Sequence, residues 1–405
     1  MTTHMDDPCW LVVGFNARPI VESLRRYLGR KDGFIAVVDN FADIETRACS
    51  DFLFSVLRQE TGKTIERTLH RSPANYLSEL TEILAEEINI GSILLGSGLD
   101  DRPDLWQRLV SLGNFRGNDP HRLAFLRNRE KLYAAANKIG LATPKSDIFT
   151  TLSEFETKIS KYDFPCVVRR EGGGGGFDVF KCNNEAKASL IARSLLDQFG
   201  KGMIMSYESG THSSVSILGA SDQTIPLSFN EQLIGRRNSF CPGEFLYCGN
   251  KIPLNMETET QDILTEQFTR LGEKLDLLGT NGIDFVLRND EACVLELNPR
   301  FQGSLEPIEL AYDLNLVRAH LQCFSDQLPE IPVRKRTAIR KILYAPRQIT
   351  VPELPARLAK DRPIPGVILS KGSPMVSVVA SGKTSRDAFQ QLSQKEKTIW
   401  KMIGE

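Results

Sequence analysis

Asn281-Gly-Ile-Asp-Phe-Val-Leu-Arg-Asn-Asp-Glu-Ala-Cys-Val-Leu-Glu-Leu-Asn-Pro-Arg300 places two acids, an amide and an arginine on a pair of alternating segments. Ile283, Phe285 and Leu287 alternate with Asp284, Val286 and Arg288, and Cys293, Leu295 and Leu297 alternate with Val294, Glu296 and Asn298. Successive side chains of a strand point to opposite faces, so both segments read as half-buried strands, with Asn289-Asp290 supplying the turn. A hairpin centred on Asp290 sets Asp284 directly across from Glu296 and carries Asn298 on the same face. Two facing carboxylates repel unless a cation neutralises them, and hard oxygen donors suit Mg²⁺ better than zinc or copper. Arg300 follows just beyond, beside any phosphate such an ion would hold. An isolated acid pair of this kind also fits a solvated hairpin with an acidic outer face. The rest of the chain decides between the two.

The 405 residues, 41% of them hydrophobic, suffice for about two to four domains. A net charge of −1 gives no global case for nucleic-acid or membrane binding, although Ile331 to Glu405 holds 15 Lys/Arg against 5 Asp/Glu. That basic segment reads either as a wall beside an anionic substrate or as one side of a charge-balanced contact. Eight cysteines are scattered without a Cys-x-x-Cys pair, several within apolar runs, which suits reduced thiols in the cytoplasm. The first residues lack a basic segment followed by an apolar one, and no apolar run is long enough to span a bilayer. A cytoplasmic protein without a membrane or nucleic-acid partner is expected, and a homodimer stays open.

Trp10–Val13, a turn at Gly14-Phe-Asn, a helix over Arg18–Leu28 and a strand Phe34–Val38 ending at Asp39 form a βαβ opening. Asp39 stands where a dinucleotide fold would hold a ribose. The turn from Gly14 to Arg18 has one glycine where that fingerprint has three, so a Rossmann-like domain of other purpose is expected. A further strand, Ser92–Leu95, leads to a helix from Asp104 to Leu112, and Arg122–Ile139 reads as one helix closed by Gly140. Phe164–Arg170 and Phe177–Lys181 then read as strands joined through five consecutive glycines, Gly172 to Gly176. Glycines let backbone N–H groups approach an anion, and their flexibility suits a lid over phosphates. A slack linker is the plain alternative, but linkers join domains and this loop joins two short strands. Lys201–Gly210 and Ser213–Leu218 are further strands. Candidates at Ile342–Ala345, Gly366–Ser370 and Met375–Ala380, then a helix over Thr384–Met402, close the chain.

Taken in order, these features resemble the ATP-grasp superfamily, which includes biotin carboxylase and many carboxylate–amine ligases; the likeness covers about Trp10 to Phe324. It implies an α/β chain with a Rossmann-like domain over 1–120, then an ATP-grasp fold of two α+β subdomains over 121–328, with a lid at about 145–210. A small β-rich C-terminal domain over 329–405 would follow. The resemblance implies ATP and two Mg²⁺ ions as cofactors, with Mn²⁺ as a substitute. Lys131 matches the first phosphate-binding lysine and Arg169 the second, with Gly173, Gly174 and Gly175 in the loop over the phosphates. Met205, Ser206, Tyr207 and Glu208 match the segment that meets adenine, His212 a ribose-binding position, and Asp284, Glu296 and Asn298 the metal site. Arg300 matches the arginine that contacts the transferred phosphate, and Gly303-Ser304 the small residues after it. Two positions depart from the family pattern: Arg169 stands for the usual lysine and His212 for the usual glutamate. A planar guanidinium neutralises phosphate with a different geometry from an ammonium, so nucleotide affinity and base preference stay open.

The resemblance implies an ATP-dependent ligase that converts a small carboxylate to an acyl phosphate and joins it to a small amine, releasing ADP and phosphate. Neutralisation by metals, Lys131, Arg169 and Arg300, with water excluded by the lid, supplies what this chemistry needs without a nucleophilic side chain. A bicarbonate-activating carboxylase is an alternative, because Gly366–Ala380 loosely resembles the carboxylase accessory domain. A nucleotide-binding regulator without turnover is another, motivated by Arg169 and His212. Asn230–Pro253, rich in glycine, aromatic and basic residues, is a candidate acceptor wall through Arg236, Arg237 and Tyr247. The block is similar to a poorly characterised ATP-grasp group of archaea and of bacteria with tetrahydromethanopterin-type one-carbon metabolism. That likeness implies an amino acid, a pterin side chain or an aromatic amine as substrates.

Overall fold

Apolar runs in the first hundred residues produce a parallel sheet buried on both faces, seen in a computed structural model that describes residues 8–29, 33–65, 74–235 and 239–405. The strands lie in the order Phe52–Ser55, Ile35–Asp39, Cys9–Gly14, Ile90–Leu95 and Asn114–Phe115, all parallel. Val12, Val37 and Leu94 enter one core with the helix Arg18–Leu28, while Leu11, Val13, Ala36 and Val38 enter another with the helices Ala74–Glu87 and Pro103–Val110. Burial on both faces is why these strands lack a polar alternation. At the end of the second strand, the Asp39 carboxylate accepts N–H bonds from Ala17 (2.9 Å), Phe41 (3.2 Å) and Ala42 (2.6 Å). It is 1% exposed and committed to the entry of the first helix, where negative charge is favoured. The residue that could suggest a ribose contact is a structural cap.

A second sheet has four antiparallel strands in the order Ser146–Phe149, Gly202–Ser206, Cys166–Arg169 and Val179–Cys182. The helices Leu152–Ile159 and Glu185–Phe199 back it, capped by Thr151 and Asn184, whose side chains accept the Glu154 and Lys187 N–H groups. The five glycines link its last two strands.

The third sheet is antiparallel and runs Glu291–Asn298, Gly279–Arg288, Thr211–Ala220, Gln223–Ile234, Tyr247–Ile252, Thr337–Tyr344 and Pro374–Gly382. Its last two strands come from the segment expected to form a small C-terminal domain. That segment has its own core, where Leu343, Val376 and Val378 meet Leu392 and Ile399 of the helix Ser385–Met402. Its strands nevertheless continue the sheet, with Arg340 paired to Asn250. The one helix expected over Arg122–Ile139 is divided into Leu123–Leu126 and Arg129–Asn137. The break falls at Asn128, whose side chain accepts the Lys131 N–H and starts the second helix.

Arg18 joins three distant parts of the chain. Its wholly buried guanidinium bonds Glu22 (2.7 Å), Glu306 (2.7 Å) and Asp361 (2.6 Å), and Asp361 accepts a further bond from Arg340 at 2.7 Å. Among the described residues no helix is long and apolar enough to cross a membrane.

Candidate active site

The hairpin forms from Gly279–Arg288 and Glu291–Asn298, turned by Asn289 (φ 48°) and Asp290 (φ 64°). Two successive residues at positive φ make the turn whose twist suits paired strands. A two-residue turn alone would set Asp284 against Leu295 and send Glu296 to the opposite face. The register slips instead: Phe285 pairs with Val294, but Asp284 pairs with Glu296. Leu295 is therefore the extra residue of a β-bulge, which turns Glu296 and Asn298 onto the face of Asp284. The expected facing pair is present, reached through an irregularity that simple alternation does not contain.

Each acid is held differently. Asp284 accepts the amide N–H groups of Gln232 (2.8 Å) and Asn298 (3.1 Å), and burial followed by the charge of Glu296 pushes its carboxyl up to about 7. Glu296 accepts from Arg127 at 2.8 Å, from Arg129, and from Arg169 at 3.4 Å. Burial raises Glu296, but Arg129, Arg127 and Arg169 hold it well below the usual carboxylate range. Burial and the neighbouring Arg129 bring the Arg169 guanidinium down to about 10. Arg300 is fixed by Asp100 (2.7 Å), the Phe301 carbonyl (2.9 Å) and the Asn298 side-chain oxygen (3.2 Å).

Lys131 is not brought to this cluster. It is exposed, and the cleft is lined without it. Arg129, two residues earlier, is 7% exposed and faces Glu296 instead. On a helix, 129, 132, 133 and 136 share one face, and all four are buried, with Ala135 beside them. The same spacing in the sequence singles out Arg129 and turns Lys131 outward. Arg127, at the break before the helix, carried no periodic signal.

The glycine segment is linked to the hairpin through Arg127 and Arg129, which also bond Glu296. Gly173, Gly175 and Gly176 have φ of 96°, 66° and 80°, a region that side chains rarely adopt. At Gly176 a Cβ would lie 1.8 Å from the Phe245 carbonyl oxygen. The Tyr247 N–H donates to the Gly175 carbonyl at 3.0 Å, and Arg129 donates to the Glu171 carbonyl. Met205, Ser206, Tyr207, Glu208 and His212 also line the space. The Ser206 hydroxyl donates to Glu208 at 2.7 Å, and Lys181, outside the lining of the cleft, stands 3.9 Å from the Tyr207 ring centre. Tyr247 also lines the space, donating its hydroxyl to Asn250. Arg236 and Arg237 lie outside the described residues.

The result is a cleft of ≈ 580 Å³ between the carboxyl ends of the parallel strands, the glycine segment and the inner face of the hairpin. A family model described as an ATP-grasp domain matches residues 127–304. The chain carries an ATP-grasp domain. The ATP-grasp match begins at Arg127 and ends at Ser304, so it takes in the arginine cluster and the hairpin. An uncharacterized protein of Methanocaldococcus jannaschii is 25% identical over 387 residues, covering 91% of this chain and 87% of the relative. The biotin carboxylase domain of Hydrogenobacter thermophilus 2-oxoglutarate carboxylase, solved with MgADP, ADP and bicarbonate, superposes with a TM-score of 0.71 at 14% identity. That match covers 96% of this chain and 89% of the other. Staphylococcus aureus N5-carboxyaminoimidazole synthetase, complexed with ADP, gives 0.69 at 12% identity over 98% of each chain. At these identities the structural likeness is one of fold.

Proposed function

We propose that the chain is an ATP-dependent ligase that phosphorylates a carboxylate and lets an amine displace the phosphate, yielding an amide, ADP and phosphate. The observation that carries this reading is the convergence of Arg127, Arg129 and Arg169 on one carboxylate, Glu296, beneath a glycine-rich loop. With Arg300 alongside, four guanidiniums gather around Glu296, Asp100 and Asp101, donors of the kind that suit a polyphosphate.

The acids fit a hard divalent cation, since Asp284 and Glu296 face each other and one stays charged only through arginines while the other is disposed to take a proton. Asp284, Glu296 and Asn298 would hold Mg²⁺, whose chemistry there is to offset phosphate charge. Arg169 and the loop N–H groups serve the phosphate chain, Arg300 the transferred group, Met205 to Glu208 the base, and His212 a ribose hydroxyl. In the first step a carboxylate oxygen bonds to phosphorus as ADP leaves. In the second an amine nitrogen bonds to the acyl carbon, phosphate leaves and the nitrogen loses its proton.

Among the described residues, Asp39 already fills the nearby helix entry, and Arg18 and Arg340 are paired with Asp361, Glu306 and Glu22. Bicarbonate activation is the second reading, favoured by the full-length fold likeness to a biotin carboxylase domain.

ADP release from Mg-ATP, with hydroxylamine as a generic amine and a panel of amino acids, dicarboxylates, pterin acids and bicarbonate, tests the proposal. An acid-dependent signal with a hydroxamate is expected. Stimulation by bicarbonate alone would favour the second reading, and no response to any acid in a chain that binds ATP would sink the ligase.

A further inference from the structure

Asp101 follows the parallel strand Ile90–Leu95 and reaches across the cleft to the glycine segment. One carboxylate oxygen accepts the Gly173 N–H, and the other accepts the Arg127 guanidinium at 2.8 Å. Through its other nitrogen Arg127 donates to Glu296 at 2.8 Å and to the Leu297 carbonyl at 2.7 Å, while a 3.3 Å contact reaches the Gly173 carbonyl. Gly172 comes so near that a Cβ there would stand 3.3 Å from the Asp101 carboxyl carbon. An oxyanion held by a glycine-loop N–H and a guanidinium has the partners that such loops give a phosphate oxygen. Here the oxyanion belongs to the protein.

We propose that Asp101 is an internal stand-in for a nucleotide phosphate, holding the Gly173 amide and Arg127 in phosphate-binding positions and yielding both when a nucleotide enters. Arg127 is then a phosphate-binding residue that the lysine pattern did not reveal, and Asp101 is a positioning residue. The inference rests on the nucleotide reading of the cleft. A nucleotide must displace Asp101, so removing this carboxylate strengthens nucleotide binding, whereas damage to a merely structural contact weakens it.

The test uses the full chain and its Asp101→Ala and Asp101→Asn variants, with ADP as the probe and no metal added. Hydrogen exchange at the 172–176 amides is followed in the free proteins, and ADP affinity is measured by calorimetry. Asp101→Ala is expected to speed exchange in this loop and to tighten ADP binding by about tenfold, the scale of one charge-assisted hydrogen bond removed from competition. Asp101→Asn, which keeps an acceptor without its charge, falls between, and saturating ADP restores loop protection in both. Unchanged or weaker ADP binding by Asp101→Ala overturns the stand-in role. If the wild-type chain binds no ADP, the nucleotide reading itself fails, while free-state exchange still reports on the contact between Asp101 and the loop.

Discussion

Glu296→Gln is expected to lower acid-dependent ADP release by roughly a thousandfold or more, because it removes a charge on which both metal binding and the placement of three arginines depend. It also destabilises the fold. Arg127, Arg129 and Arg169 all turn to this carboxylate, and its side chain is only 12% exposed. Removing one partner from a buried ion cluster leaves uncompensated charge, at a cost of about 3 kcal/mol or more. Urea unfolding and steady-state ADP release on the same preparation separate the two effects. Added tripolyphosphate, a substitute anion for the freed guanidiniums, should raise the melting temperature of the variant more than that of the wild type. Full turnover in Glu296→Gln would remove the hairpin from the proposed chemistry.

Arg18→Met is the second large effect, and it acts outside the reacting groups. The substitution keeps an unbranched buried side chain but leaves Glu22, Glu306 and Asp361 short of one cation. A loss of about 3–5 kcal/mol in denaturant unfolding is expected. The pH dependence follows from the acids. Burial raises Asp361 and Glu306, but Arg18 and its neighbours outweigh it, so Asp361 sits well below and Glu306 below the usual value. Lowered folded-state values mean a contribution fully present above the ordinary carboxylate range and lost as pH falls through it toward those depressed values. In Arg18→Met this part of the acid dependence flattens. A variant with wild-type stability and an unchanged acid profile would show the network to be dispensable.

The alternation around Asp284 and Glu296 could be read from sequence because both faces of a half-buried strand leave a mark on it. The bulge at Leu295 could not, since one extra residue changes which face a side chain takes without changing composition. Arg129 was in reach: its spacing to Leu132, Tyr133 and Ala136 is that of one buried helix face, a stronger signal than the lysine that a motif suggests. Arg127 and Asp101 were out of reach because their partners are 169 and 72 residues away, on Glu296 and Gly173. The continuation of the central sheet into the last segment was hidden for a similar reason. Strands at Thr337–Tyr344 and Pro374–Gly382 are visible locally, but which edge they join is a question of long-range pairing.

That pairing governs whether the ATP-grasp region can exist without its neighbour. Cutting the chain at Ser304, where the family match ends, would strip Tyr247–Ile252 of Thr337–Tyr344 and bare a row of N–H and C=O groups along its length. Five of its six residues are buried, Cys248 and Ile252 completely, so the uncovered strand would be sticky on its faces as well as on its edge. Such a strand is a template for the next copy. The fragment holding the proposed reactive groups is expected to aggregate, whereas in the full chain the last segment occupies that edge.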